Sequence, residues 1–170
     1  MYSIHATKKL LDRVKISAVE PVAEPSTMLG NWYANALFWK PQVSLLVNEK
    51  TLLPVFMPLA PAATLMKRFP DQLAQVLAAI GVSVDFVAQE ILAMGDGSFA
   101  KTASRSVLGS MNDFAHLAEY HREVGEAEDL VRLSVSMAKT PCSPLYKGHI
   151  SPDREVLAVV ADWSGDPKPG

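Results

Sequence analysis

One cysteine, Cys142, in 170 residues leaves no internal disulfide and no cysteine cage for zinc, a usage that fits a reducing compartment. A bacterial-type cytoplasmic location is therefore expected. No apolar run approaches the roughly 20 residues that cross a bilayer. Residues 1–11 also lack the apolar stretch of a secretory leader, so neither export nor a membrane partner is expected. A dominant charge is missing too: sixteen Lys and Arg against eighteen Asp and Glu leave −2. No global positive field draws the chain onto nucleic acid, and any such contact has to be a local patch. The one Gly-x-Gly, Gly95-Asp96-Gly97, has no third glycine at dinucleotide spacing and leads toward a strand, so a turn explains it. No cofactor is called for.

What is present is 49% hydrophobic and 20% charged, enough to bury a core without staples. One domain over residues 1–163 is expected, with a flexible tail over 164–170. Tyr2 to Ala6 reads as a strand, and Thr7 as the hydroxyl cap of a helix opening with Lys8 and Lys9. The proline-containing stretch Val19 to Met28 reads as a loop. Asn31 to Trp39 alternates with period two, both faces carrying large residues. Val43 to Val47 and Thr51 to Met57 follow across the Asn48-Glu49-Lys50 turn, making an antiparallel meander, and Pro54 places its third strand at an edge or a bulge.

Helices are expected from Pro61 onward, with Pro70 as a restart and Gly81 as the stop, and from Ser83 to Met94. Phe99 to Leu108 alternates again and reads as a strand. Ser110 to Asp113 has the spacing of a capping box for a following helix. Glu126 to Met137 reads as a helix with an acidic start, Thr140 to Pro144 as a connector, and Ser151-Pro152-Asp153 as the start of a last helix through Trp163. The sum is α+β: an antiparallel or mixed sheet of about five strands with helices packed on it and a C-terminal helical extension.

The residues that carry chemistry are sparse. His116 and His121 are five apart and share no helical face, so they lack the spacing of a helical zinc site, and no metal is expected. Ser110 lacks the second glycine of a nucleophile elbow, and Cys142 has no neighbour in sequence that would activate it. Lys8 and Lys9 oppose the dipole at a helix start, which calls for a partner or full solvation. Lys101, Thr102, Arg105, Ser106 and Asn112 form a donor-rich stretch ending at a helix start, an arrangement that favours an anion. Arg105 paired with Asp113 or Glu90 is the structural alternative. Asn35 and Asn48 add amide groups to the meander. Trp32, Tyr33 and Trp39 supply flat faces suited either to a core or to stacking bases of a single strand.

His5-Ala6-Thr7-Lys8-Lys9-Leu10-Leu11, Gly30-Asn31-Trp32-Tyr33-Ala34-Asn35 running into Val47-Asn48-Glu49-Lys50-Thr51, and Ser104-Arg105-Ser106-Val107-Leu108-Gly109-Ser110-Met111-Asn112-Asp113 together resemble an uncharacterised bacterial domain family. The resemblance covers roughly residues 1–122, and the stretch from Thr140 to Arg154 looks like an extension present in some members. Ala103-Ser104 departs from the Asn or Asp expected before the Arg. The family implies a bacterial, cytoplasmic protein, with some members fused to plasmid-type domains, and transfers no activity.

Three readings follow. The first is a non-enzymatic binding or regulatory module, tied to mobile elements, that takes nucleic acid or another phosphate-containing ligand on Lys8, Lys9, Lys101, Arg105, Ser106 and Asn112; it requires the two strand-to-helix junctions to adjoin. The second is a metal-independent ribonuclease or phosphate-transfer enzyme with His5 as base and Arg105 and Lys8 on the phosphate. A His5 ring packed into the core would count against it. The third is an antitoxin-like subunit that presents an acidic helix, Glu119 to Asp129, to a basic protein partner.

Overall fold

Both faces of Tyr2–Ala6 (β1) and nearly all of Trp32–Leu37 (β2) are buried, which puts these strands inside a sheet covered on two sides. The computed structural model describes residues 1–163; the expected tail at 164–170 lies outside them. Val43–Asn48 (β3), Pro54–Pro58 (β4) and Gly97–Lys101 (β5) complete the order β4-β3-β2-β1-β5. β2, β3 and β4 form the expected antiparallel meander. β1 runs parallel to both β2 and β5, with Ala6 opposite Ala34 on one side and Lys101 on the other. The sheet is mixed and the class α+β.

Tyr2, Ile4, Ala6, Trp32, Ala34 and Ala36 pack on one face against the helices Lys8–Val14 (α1), Leu65–Ala79 (α2), Val84–Met94 (α3) and Pro152–Trp163 (α6). Tyr33, Leu37, Leu45 and Val47 pack on the other against Arg105–Glu123 (α4) and Leu130–Ala138 (α5). The C-terminal helix belongs to the core, since Val156 is fully buried and Trp163 meets Phe86 edge-on at 5.3 Å. Trp32 is fully buried and Trp39 is 9% exposed. They are core residues rather than a stacking platform.

Pro54 opens β4, an edge strand as expected, with Thr51 to Leu53 left to the turn. An open edge would template aggregation. Here the Phe56 N–H donates to Ser134 Oγ (2.8 Å), and the Phe56 carbonyl accepts from Gln72 Nε2 (2.9 Å), so α5 and α2 cover the edge between them.

Four expectations are corrected. The strand read from Phe99 to Leu108 ends at Lys101, because β1, which it pairs with, ends at Ala6. Ser104, not Ser110, caps α4, accepting the Val107 N–H at 3.2 Å. Val107, Met111, Phe114 and Ala118 then recur at helical spacing, which buries Ser110 inside the helix. Asp129 starts α5 by accepting the Arg132 N–H at 3.1 Å, so the acids from Glu126 to Asp129 lie in a turn ahead of it. α2 continues through Pro70 instead of restarting there. The ring removes one helical donor, and the buried Phe69, Leu73, Val76 and Leu77 hold both sides of it in one helix.

Candidate functional site

β1 ends in a turn into α1, and β5 ends in a turn into α4. The register Ala6 opposite Lys101 sets these two junctions side by side at the carboxyl end of the parallel strands. α1 leaves on one face and α4 on the other, so the chain diverges around this rim. In open sheets with parallel strands, such a divergence is where ligands bind.

Lys8, Lys9, Lys101, Arg105 and Ser106 are all exposed at the rim. None of the four cations enters an ion pair among the described residues. Lys9 Nζ stands 5.6 Å from the centre of the Phe38 ring. Neither Asp113 nor Glu90 takes Arg105. Glu90 is fully buried and accepts the N–H groups of Met28 (2.8 Å) and Leu29 (3.3 Å). Ser104 Oγ satisfies Val107, leaving the N–H groups of Arg105 and Ser106 at the exposed start of α4 without a bond among the described residues. Those groups and the helix dipole favour negative charge.

Lys101 turns to the α1 side, the side of Phe99 two residues before it. There it lines an open cavity of about 620 Å³ with Leu11, Asp12, Lys15 and residues 16–18. Two lysines and one aspartate give this hollow a net positive lining. Lys15 was missed in the sequence because α1 appeared to need only its opening lysines. Its one unusual property, a left-handed backbone (φ 58°) just past the end of α1, is invisible in a non-glycine residue.

The other sequence candidates separate. Thr7 flanks α1 without capping it and instead donates its hydroxyl to Asn35 Oδ1 at 2.7 Å, tying the β1 junction to β2. Asn35 also accepts the Ala36 N–H (2.8 Å), so it shapes the rim. Asn48 is fully buried. Its amide donates to the carbonyls of Leu29 and Asn31, and its oxygen accepts the N–H groups of Lys50 and Thr51 and the Thr51 hydroxyl. It is a turn anchor with nothing left for a ligand. Asn112 is exposed on α4, two turns beyond Arg105.

His5 is 6% exposed. Its ring stacks on Tyr33 at 4.5 Å, and Nδ1 donates to the Lys101 carbonyl at 2.7 Å. The Tyr33 hydroxyl in turn accepts the Ser104 N–H at 3.0 Å. This chain, which sequence reading missed, runs from β1 through β5 and β2 to the cap of α4 and locks the rim. A ring held in this way is a positioning element. His121 pairs with Glu126 at 3.0 Å, away from His116. Burial and the nearby Asp113 push the Cys142 thiol up to about 11, which keeps it unreactive at neutral pH. Among the described residues no three His, Cys, Asp or Glu side chains gather as a metal site, and no helix is long and apolar enough to cross a membrane.

No curated protein and no solved structure matches the chain. A family profile does match, over residues 3–155. It runs past the three sequence motifs, through the connector to the start of α6, so the match takes in the connector that reads as an extension in the sequence. The chain is a member of the family described as a domain of unknown function, DUF6933.

Proposed function

We propose that this protein is a binding module, regulatory rather than catalytic, that accepts a nucleic acid or another phosphate-bearing ligand on the rim formed by Lys8, Lys9, Lys101, Arg105 and Ser106. The observation that carries this reading is the β1–β5 register, which adjoins two junctions that are almost a hundred residues apart in sequence. Lys15 adds a further cation beside Lys101. Four cations without an ion pair and two N–H groups without a bond among the described residues, on an otherwise weakly acidic chain, supply the local patch that the overall charge requires. The burial and fixation of His5 favour binding over phosphate transfer, since a base must reach the proton that it takes.

Fluorescence anisotropy with short labelled RNA and DNA strands, at about 50 and 200 mM salt, tests the proposal. Wild type is compared with Lys101→Ala and Arg105→Ala, and the strands are run on a gel afterwards. Binding that weakens with salt and falls several-fold in each variant is expected, with the strands intact. Absence of binding at the lower salt would remove the proposal, and cleaved strands would restore the nuclease reading.

A further inference from the structure

The opposite end of α4 differs in character. Leu117, Tyr120 and Val124 follow one another at three and four residues, the spacing of a single helical stripe. They remain 39%, 62% and 50% exposed. Tyr146, 60% exposed, extends the patch, because it shares with Leu117 a cavity of about 210 Å³ between α4 and the 140–146 connector. Scattered exposed apolar residues need no explanation, but a contiguous set on one stripe marks an interaction surface.

Its surroundings identify the occupant. From Glu119 to Asp129 the chain carries five acids and one arginine, while the whole chain sums to only −2. The arginine, Arg122, is paired with Glu119 and lies over the Trp39 ring, so its charge is already spent. Glu123, Glu126, Glu128 and Asp129 are exposed. The last three line an open cavity of about 430 Å³ beside the stripe, with His121 and Arg132. An apolar stripe bordered by an acidic hollow is complementary to a helix with leucine-like residues on one side and lysine or arginine on the other.

We infer that this face docks a basic, amphipathic helical segment of another protein. Tyr120 anchors its apolar side, and the turn from Val124 to Asp129 receives its cations. The face lies at the far end of α4 from the phosphate-accepting rim, so neither proposal depends on the other.

The probe is a synthetic leucine-lysine helix with leucines at three- and four-residue spacing, titrated against the full chain by calorimetry at physiological salt. A scrambled isomer and a leucine-glutamate analogue serve as comparisons. The expected result is saturable one-to-one binding of the leucine-lysine helix, at least about tenfold weaker for Tyr120→Ala and for the double variant Glu123→Lys/Glu128→Lys. The scrambled peptide should bind more weakly and the acidic analogue not at all. All three substituted residues are exposed, so unchanged circular dichroism and Tm are expected and separate docking from unfolding. Equal binding of the scrambled isomer, or undiminished binding by the two variants, would overturn the inference. Sedimentation of the protein alone gives a further check: a dimer abolished by Tyr120→Ala would assign the face to a second copy instead and overturn it as well.

Discussion

Gly109 occupies the middle of an exposed helical face, where a Cβ would meet nothing within 4 Å. Glycine in a helix interior is entropically costly, so Gly109→Ala should raise stability by about 0.5–1 kcal/mol, read from the urea midpoint. A loss would mean that α4 needs this glycine for a reason its own packing does not show. Glu90 makes the opposite case, a carboxyl carried into the interior to hold the 28–29 backbone. Burial raises its pKa above the usual carboxylate range, outweighing the two N–H donors and the nearby Lys50. The folded state therefore holds this proton more tightly than the unfolded chain does. Its stabilising contribution is complete below the unfolded carboxylate value of about 4.3 and declines as pH rises through the higher folded value. The stability of wild type relative to Glu90→Gln should accordingly fall between acidic and neutral pH in denaturant titrations. A difference that grows with pH would show that the two N–H donors outweigh burial.

Strand edges and helix caps show how the elements are held. Ser134 donates to the Leu130 carbonyl within its own helix (2.7 Å) and accepts the Phe56 N–H across to β4. Ser134→Ala leaves that buried donor without a partner and should cost about 1–3 kcal/mol in chemical denaturation. A neutral result would mean that water reaches the edge strand. Most elements were legible from their sequence because their periods were clear: β2 alternates without interruption, and α3 is flanked by Ser83 and Gly95. The region from Phe99 to Ser110 misled because Thr102, Ser104 and Ser106 recur with the period of a strand face, while Ser104 and Ser110 both offer hydroxyls that can cap. The end of β1 decides between them, since β5 has nothing to pair with beyond Lys101. That information is long-range and is absent from any local window. The 126–129 acids misled for a related reason, because acidic residues suit a first helical turn as well as the turn that precedes it.

Across the whole molecule, charge divides along α4. Cations that enter no ion pair among the described residues gather at its start and at the adjoining end of β1, while acids outnumber cations at its finish, giving a near-neutral chain two unlike ends. The cations of the rim were legible as residue types, but their arrangement was not. Lys101 and Arg105 read as neighbours on one strand; in the fold one turns toward α1 and the other starts α4 on the opposite face. Asn48 looked like a ligand group and is consumed by its own turn, whereas Lys15, which drew no notice, lines the cavity beside Lys101. A local pattern specifies which side chains can bind, but the register between distant strands specifies which of them meet. The most direct measurement of the central claim is a titration of the isotopically labelled protein with a short single-stranded oligonucleotide, followed by amide chemical shifts. Saturable shifts concentrated at Lys8, Lys101, Thr102, Arg105 and Ser106, weakening with salt, are the predicted result. Shifts confined to other surfaces, or no shifts at low salt, would contradict the account.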